Sequence, residues 1–218
     1  HKTILSGEGV QTVSFTEISD FNTFANLILE NTDINFETAI YNLTLNQDTV
    51  LTHTEKLSVT NLDLNGYTLK LNGDLQASTL NADSQMNVTG NLEASSVTIN
   101  GTGNVGGNLT VTGSLVFNEG QLEVGGNFMF SGSSSVKMTM THDSDYLKVN
   151  GDFVVQSQLN DGAYNADNKL SAGAVEVKGD FTVEGYNYNG HRWGYNESES
   201  HKTILSGEGV QTVSFTEI

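Results

Sequence analysis

The chain contains no cysteine and no proline among its 218 residues, and only 9 basic side chains stand against 26 acidic ones. Each shortage excludes something. Without cysteine there are no disulfides, no zinc–thiolate sites and no cysteine nucleophiles. Without proline, every residue keeps its backbone donor, so a sheet paired on both sides is permitted along the whole chain. A net charge of −17 provides no basic stripe to neutralise nucleic-acid phosphates. It also disfavours anionic membrane surfaces and favours solubility. No apolar run reaches the roughly 18 residues that suggest a membrane-spanning helix. Hydrophobic residues make up 36% and charged residues 16%, which fits neither a compact helix bundle nor a charged disordered chain.

What fills the gap is Gly, Asn, Ser and Thr, and they are arranged periodically. A seven-residue phrase recurs: apolar, any, apolar, any, Gly, Asn or Asp, Leu or Phe. It reads LKLNGDL from Leu69, MNVTGNL from Met86, a weaker GNVGGNL from Gly103, LEVGGNF from Leu122, LKVNGDF from Leu147 and VEVKGDF from Val175. The glycines at 73, 90, 107, 126, 151 and 179 are spaced by 17, 17, 19, 25 and 28 residues. A second ladder runs through Leu62, Leu80, Val97, Leu115 and Val136, extending backwards to Leu43 and Leu27.

Alternating apolar and polar residues predict short strands with one face inward. The Gly and Asn that end them read as corner residues, on the ground that both tolerate positive φ. A unit of about 17 to 20 residues cannot bury a core alone, but stacked on its neighbours at about 4.8 Å it can. The prediction is therefore an all-β, elongated β-solenoid (β-helix) of about ten rungs without terminal caps. Its longer units are expected to spill residues outward in THDSD and in QLNDGAYNADNK. The first column should hold Leu75, Leu92, Leu109, Phe128, Phe153 and Phe181.

The eighteen residues HKTILSGEGVQTVSFTEI stand at 1–18 and again at 201–218, a period of 200 residues. The expected organisation is one solenoid block, residues 1–200, followed at 201–218 by the start of an identical one. The two copies should occupy equivalent strands, with an axial advance near 45 to 50 Å at roughly 4.8 Å per rung. The natural chain is then expected to continue past both ends as near-identical blocks, its partner being itself, head to tail.

HKTILSGEGVQTVSF and LDLNGYTLKLNGDL resemble phrases of long tandem-repeat β-solenoid surface proteins of bacteria, of the Gram-positive anaerobe type. That resemblance implies a secreted or cell-surface fibre, stalk or adhesive coat, and no catalytic residues.

Chemistry-bearing residues are sparse. A polysaccharide-lyase site would want basic residues with clustered acids, but the single arginine is Arg192, in GHRWGYNESES beside Trp193, Tyr195, Glu197 and Glu199. No enzyme activity, catalytic residue or resident cofactor is expected. Calcium is the one candidate ion, for Asp161, Asn165, Asp167 and Asn168, with a poorer set at Asp143 and Asp145. Neither stretch matches the ordered EF-hand loop or the nonapeptide calcium repeat. The alternative function is an adhesin contacting glycan or a host surface through Thr141 to Tyr146, Leu159 to Leu170 and Tyr186 to Ser200.

Overall fold

A computed structural model describes residues 3–16, 23–24, 27–31, 33–52, 54–132, 137–157, 169–185, 187–188, 191–192, 195, 197 and 199–217. Those residues form strands and connecting turns, with no helix among them. Two long sheets dominate. One is eight-stranded, running from Thr49–Leu51 to Lys202–Leu205, and the other is twelve-stranded, ending at Val213–Glu217. Every pairing within both is parallel, and the chain visits them in alternation. This is an all-β architecture of long parallel sheets, consistent with a β-solenoid or β-helix.

The seven-residue phrase is the link between the sheets. Its first three residues form a strand of the eight-stranded sheet, as in Leu69–Leu71, and its last residue enters the twelve-stranded one, as in Asp74–Ala82. Leu75, Leu92, Leu109, Phe128, Phe153 and Phe181 pair in register, each beside the next. All six are at most 2% exposed, so the expected column is real. Its aromatic end is a stack: Phe153 lies 4.9 Å from both Phe128 and Phe181, with ring planes tilted by 16° and 3°.

Each long strand turns its inward face midway. Leu75 and Ala77 are buried, then Leu80 and Ala82, so strict alternation slips by one at the exposed pair Ser78 and Thr79. The later strand Leu109–Phe117 carries an extra residue at the same place, and register with Leu92–Ile99 shifts there. Such a slip re-aims the side chains and lets one strand line two walls of the core.

The second ladder needs correction at its ends. Leu62, Leu80, Val97 and Leu115 stack as expected. The residue beside Leu115 is Met138, which is buried; Val136 lies outside the described residues. Leu27 is not in this ladder either: Phe24 pairs with Leu43, while Leu27 pairs with Thr3. In both places the spacing between repeats is irregular, and side-chain periodicity cannot tell which nearby apolar residue re-enters the column.

THDSD does not simply spill outward. Asp145 is fully buried, and its Oδ2 accepts hydrogen bonds from the backbone of Thr141 at 2.8 Å and His142 at 3.0 Å. The carboxylate closes the turn from within. The other expected bulge, QLNDGAYNADNK, lies almost wholly outside the described residues.

Candidate functional site

Two features are built by the repeat: a ladder of corner side chains, and the paired strands of the two identical segments.

The corner ladder explains the Gly–Asn/Asp of the phrase. Asp74 Oδ1 accepts from the backbone N–H of Asn91 at 2.7 Å, Asn91 Oδ1 from Asn108 at 2.8 Å, and Asn108 Oδ1 from Asn127 at 2.8 Å. Asn127 then serves Asp152 at 2.9 Å, Asp152 serves Asp180 at 2.8 Å, and Asp180 serves Thr212 at 2.8 Å. At the corner the chain turns away from the sheet and its N–H loses a strand partner. The side chain one rung earlier supplies the missing acceptor, for the most part at solvent-exposed positions.

The glycines of the phrase are not there for positive φ, contrary to expectation. None of residues 73, 90, 107, 126, 151 and 179 has a left-handed backbone. What they share is proximity to the rung before. A Cβ on Gly107 would lie 2.5 Å from Asn91 Oδ1 and 2.9 Å from the carbonyl oxygen of Gly90. Removing the side chain lets successive corners stack at strand spacing.

Because only an acceptor oxygen is needed, Asn108→Asp should leave thermal unfolding nearly unchanged, as Asp74, Asp152 and Asp180 already do this work. Asn108→Ala leaves the exposed Asn127 N–H to water and should cost about 0.5–1.5 kcal/mol. Urea unfolding of the two variants checks the contrast; equal losses would sink it.

On the outer face of the eight-stranded sheet, Lys148 Nζ donates to Glu123 Oε1 at 2.8 Å, and this holds the Glu123 carboxyl below its ordinary range. Ser206 donates to Glu176 Oε1 at 2.7 Å and the Tyr146 hydroxyl to Oε2. Those two bonds, Ser206 first, depress Glu176, while burial and then the bond to Glu176 push the Tyr146 phenol up to about 12. Ser206 belongs to the second copy of the repeated segment, so Glu176 fastens that copy to the rung before it.

The segment ahead of that copy is fastened differently. Asn187–Tyr188 and His191–Arg192 pair antiparallel, a departure from the parallel sheets. Tyr195 returns to the core edge-on to Phe153 and Phe181, with centroids 5.8 and 5.1 Å away, and its burial pushes the phenol up. Its hydroxyl lies 3.0 Å from His201 Nε2 and 2.9 Å from Thr203 Oγ1, which in turn donates to Glu197 Oε2 at 2.9 Å. His201, buried, bonds through Nδ1 to the Ala172 carbonyl at 2.7 Å. The sequence places Tyr195 and Glu197 beside Arg192 in the one stretch considered for polysaccharide chemistry. The structure makes Tyr195 a core plug and ties Glu197 to Thr203, with Glu199 exposed in a turn at φ 55°.

Among the described residues no group of three or more His, Asp or Glu could hold a metal ion. Asp161, Asn165, Asp167, Asn168, Trp193 and most of Leu159 to Leu170 lie outside them, so the calcium candidate is neither assembled nor dispersed here. Asp143 and Asp145 are described, and Asp145 is committed to its own turn.

Both copies of the repeated segment are paired, the first in two separate two-stranded sheets and the second at one end of each long sheet. In the first copy Thr3–Leu5 lies beside Leu27–Leu29 and Gln11–Val13 beside Ile34–Phe36. In the second copy Lys202–Leu205 lies beside Ala174–Val177 and Val213–Glu217 beside Phe181–Gly185. The copies do not pair with each other. No protein family, curated protein or solved structure matches this chain.

Proposed function

We propose that the chain is one repeat block of a tandem β-solenoid, a structural unit of an extracellular bacterial filament or surface stalk. The observation that carries this reading is the repeated segment: the second copy ends both long sheets, the first pairs in two two-stranded sheets, and each copy leaves an edge unpaired within the described residues. An exposed strand edge invites another strand, and identical edges one period apart can join without limit. In this reading the rod is not an enzyme and has no resident cofactor; its work is mechanical, through continuous backbone pairing along the axis. The resemblance to bacterial surface proteins supports its position outside the cell.

The block length follows from the pairing: Leu57 to Val213 is seven steps in register through Leu75, Leu92, Leu109, Phe128, Phe153 and Phe181, Val13 to Phe36 is one more, and the contact of Ile34–Phe36 with Lys56–Asp63 is counted as the ninth. At about 4.8 Å per step the block advances about 43 Å, slightly less than ten rungs would give. Electron micrographs of tandem arrays of the 200-residue block should show rods lengthening by that amount per block. Compact particles whose length does not grow with block number would overturn the reading.

The adhesin alternative draws on the antiparallel pairing of Asn187–Tyr188 with His191–Arg192, which places Tyr188, His191 and the single arginine outside the parallel ladder. A glycan array probed with the intact chain tests it: binding lost on Arg192→Ala favours the adhesin, and a blank array leaves the rod.

A further inference from the structure

The eighteen-residue segment is seen twice, each time with a different edge occupied. The first copy is covered on its later side: Val13 and Phe15 pack against the core, Phe15 lies 5.7 Å from Phe24, and its N–H donates to Thr38 Oγ1 at 2.8 Å. In the second copy the same side is bare, with Val213 49% and Phe215 67% exposed. The sequences are identical, so the first copy displays what the second lacks.

One glutamine separates the two states. Gln11 Oε1 accepts from Asn31 Nδ2 at 3.2 Å, and Asn31 also donates to the Gly9 carbonyl at 2.8 Å. The Gln11 amide nitrogen turns back on its own loop, to the Ser6 carbonyl at 3.0 Å. Gln211 does the reverse. Its amide nitrogen reaches the earlier rung, to the carbonyls of Val177 at 3.1 Å and Gly179 at 2.6 Å, while its Oε1 takes the Gly207 N–H of its own loop at 2.8 Å. The donor end serves the earlier rung and the acceptor end the later one. The loop adjusts with it: Gly9 sits at φ 84°, whereas Gly209 is outside the left-handed region. Asn31 itself is held in place, buried at 8% exposure with its Oδ1 accepting from Asp33 N at 2.9 Å.

We propose that the open edge of Lys202–Leu205 and Val213–Glu217 is a docking edge for a second copy of residues 27–36, whose Asn31 reads Gln211. The inference rests on the tandem-block reading and adds a register and a recognition pair to it. Leu205 takes the second copy of Leu29 and Val213 that of Phe36, as Leu5 and Val13 do here. Stacking another chain's first eighteen residues directly on the second copy would provide no Asn31 for Gln211.

The test is the full chain with a second copy of residues 19–46 appended after Ile218. Cysteines replace Ile204 and the appended copy of Ile28, the pair that corresponds to Ile4 and Ile28 in the register seen here; the chain has no other cysteine. An intramolecular disulfide is expected, because directly paired strand residues stand within disulfide reach. A cysteine at the appended Asn35 instead should not cross-link. Gln211→Leu, or Asn31→Leu in the appended copy, should each lower the cross-linked fraction at equilibrium on the order of tenfold. Failure to cross-link, or cross-linking indifferent to both leucines, overturns the proposal. A disulfide without rods that lengthen by block would keep this edge and remove the filament; lengthening rods without the disulfide would keep the filament and remove this register.

Discussion

Phe153→Asp is expected to abolish cooperative folding of the later half of the two long sheets. Phe153 is fully buried between Phe128 and Phe181, with Tyr195 edge-on to it. Truncating such a ring to alanine costs about 3–5 kcal/mol through lost burial and a residual cavity. The aspartate adds an unpaired charge in an apolar column, which costs several kcal/mol more or forces the carboxyl to stay protonated. The sum is comparable to the whole stability of an ordinary domain, about 5–15 kcal/mol. Parallel rungs contact mainly their neighbours, so the loss should spread unevenly. Hydrogen exchange should show rapid exchange at Phe128–Gly132, Phe153–Ser157 and Phe181–Gly185, with protection retained in Asp74–Ala82. Uniform loss across the chain, or none, would contradict a rung-by-rung core.

Gly107→Val should also be damaging, to a smaller extent, although it adds bulk on the outside. The new Cβ would meet Asn91 Oδ1 and the Gly90 backbone at 2.5 to 2.9 Å, closer than real Cβ contacts come. The asparagine can swing away, but then the Asn108 N–H loses its acceptor. The Gly90 backbone cannot move without lengthening the 2.8 Å bond from Gly107 N to its carbonyl. Overpacking of this kind costs about 1–3 kcal/mol and the lost bond about 1 kcal/mol more. Gly66 makes a suitable control, since it turns at φ 78° with open space around it. Gly66→Asn should be tolerated, because asparagine accepts that backbone region better than most residues. Thermal unfolding of the two variants checks the comparison. Equal behaviour would mean that close approach is not what selects glycine at the corner.

The sequence by itself determined the strand period, the identity of the main core column and the location of the corners. Those properties are local: alternation places a side chain in or out, and a recurring Gly–Asn/Asp marks where a strand must stop. It also determined that the ends repeat. Unequal spacings blurred the reading elsewhere. A difference of two positions separates Val136 from Met138, the residue that stands beside Leu115, and only the neighbouring rung makes that choice. The purpose of the glycines was likewise invisible, since positive φ and close approach select the same residue, and the approaching carbonyl lies 17 or more positions away in sequence. Asn31 and Gln211 carried no signal at all as single polar residues. Their roles emerged from tertiary structure because a side-chain amide has a donor end and an acceptor end, and only stacked rungs show which neighbour each end meets.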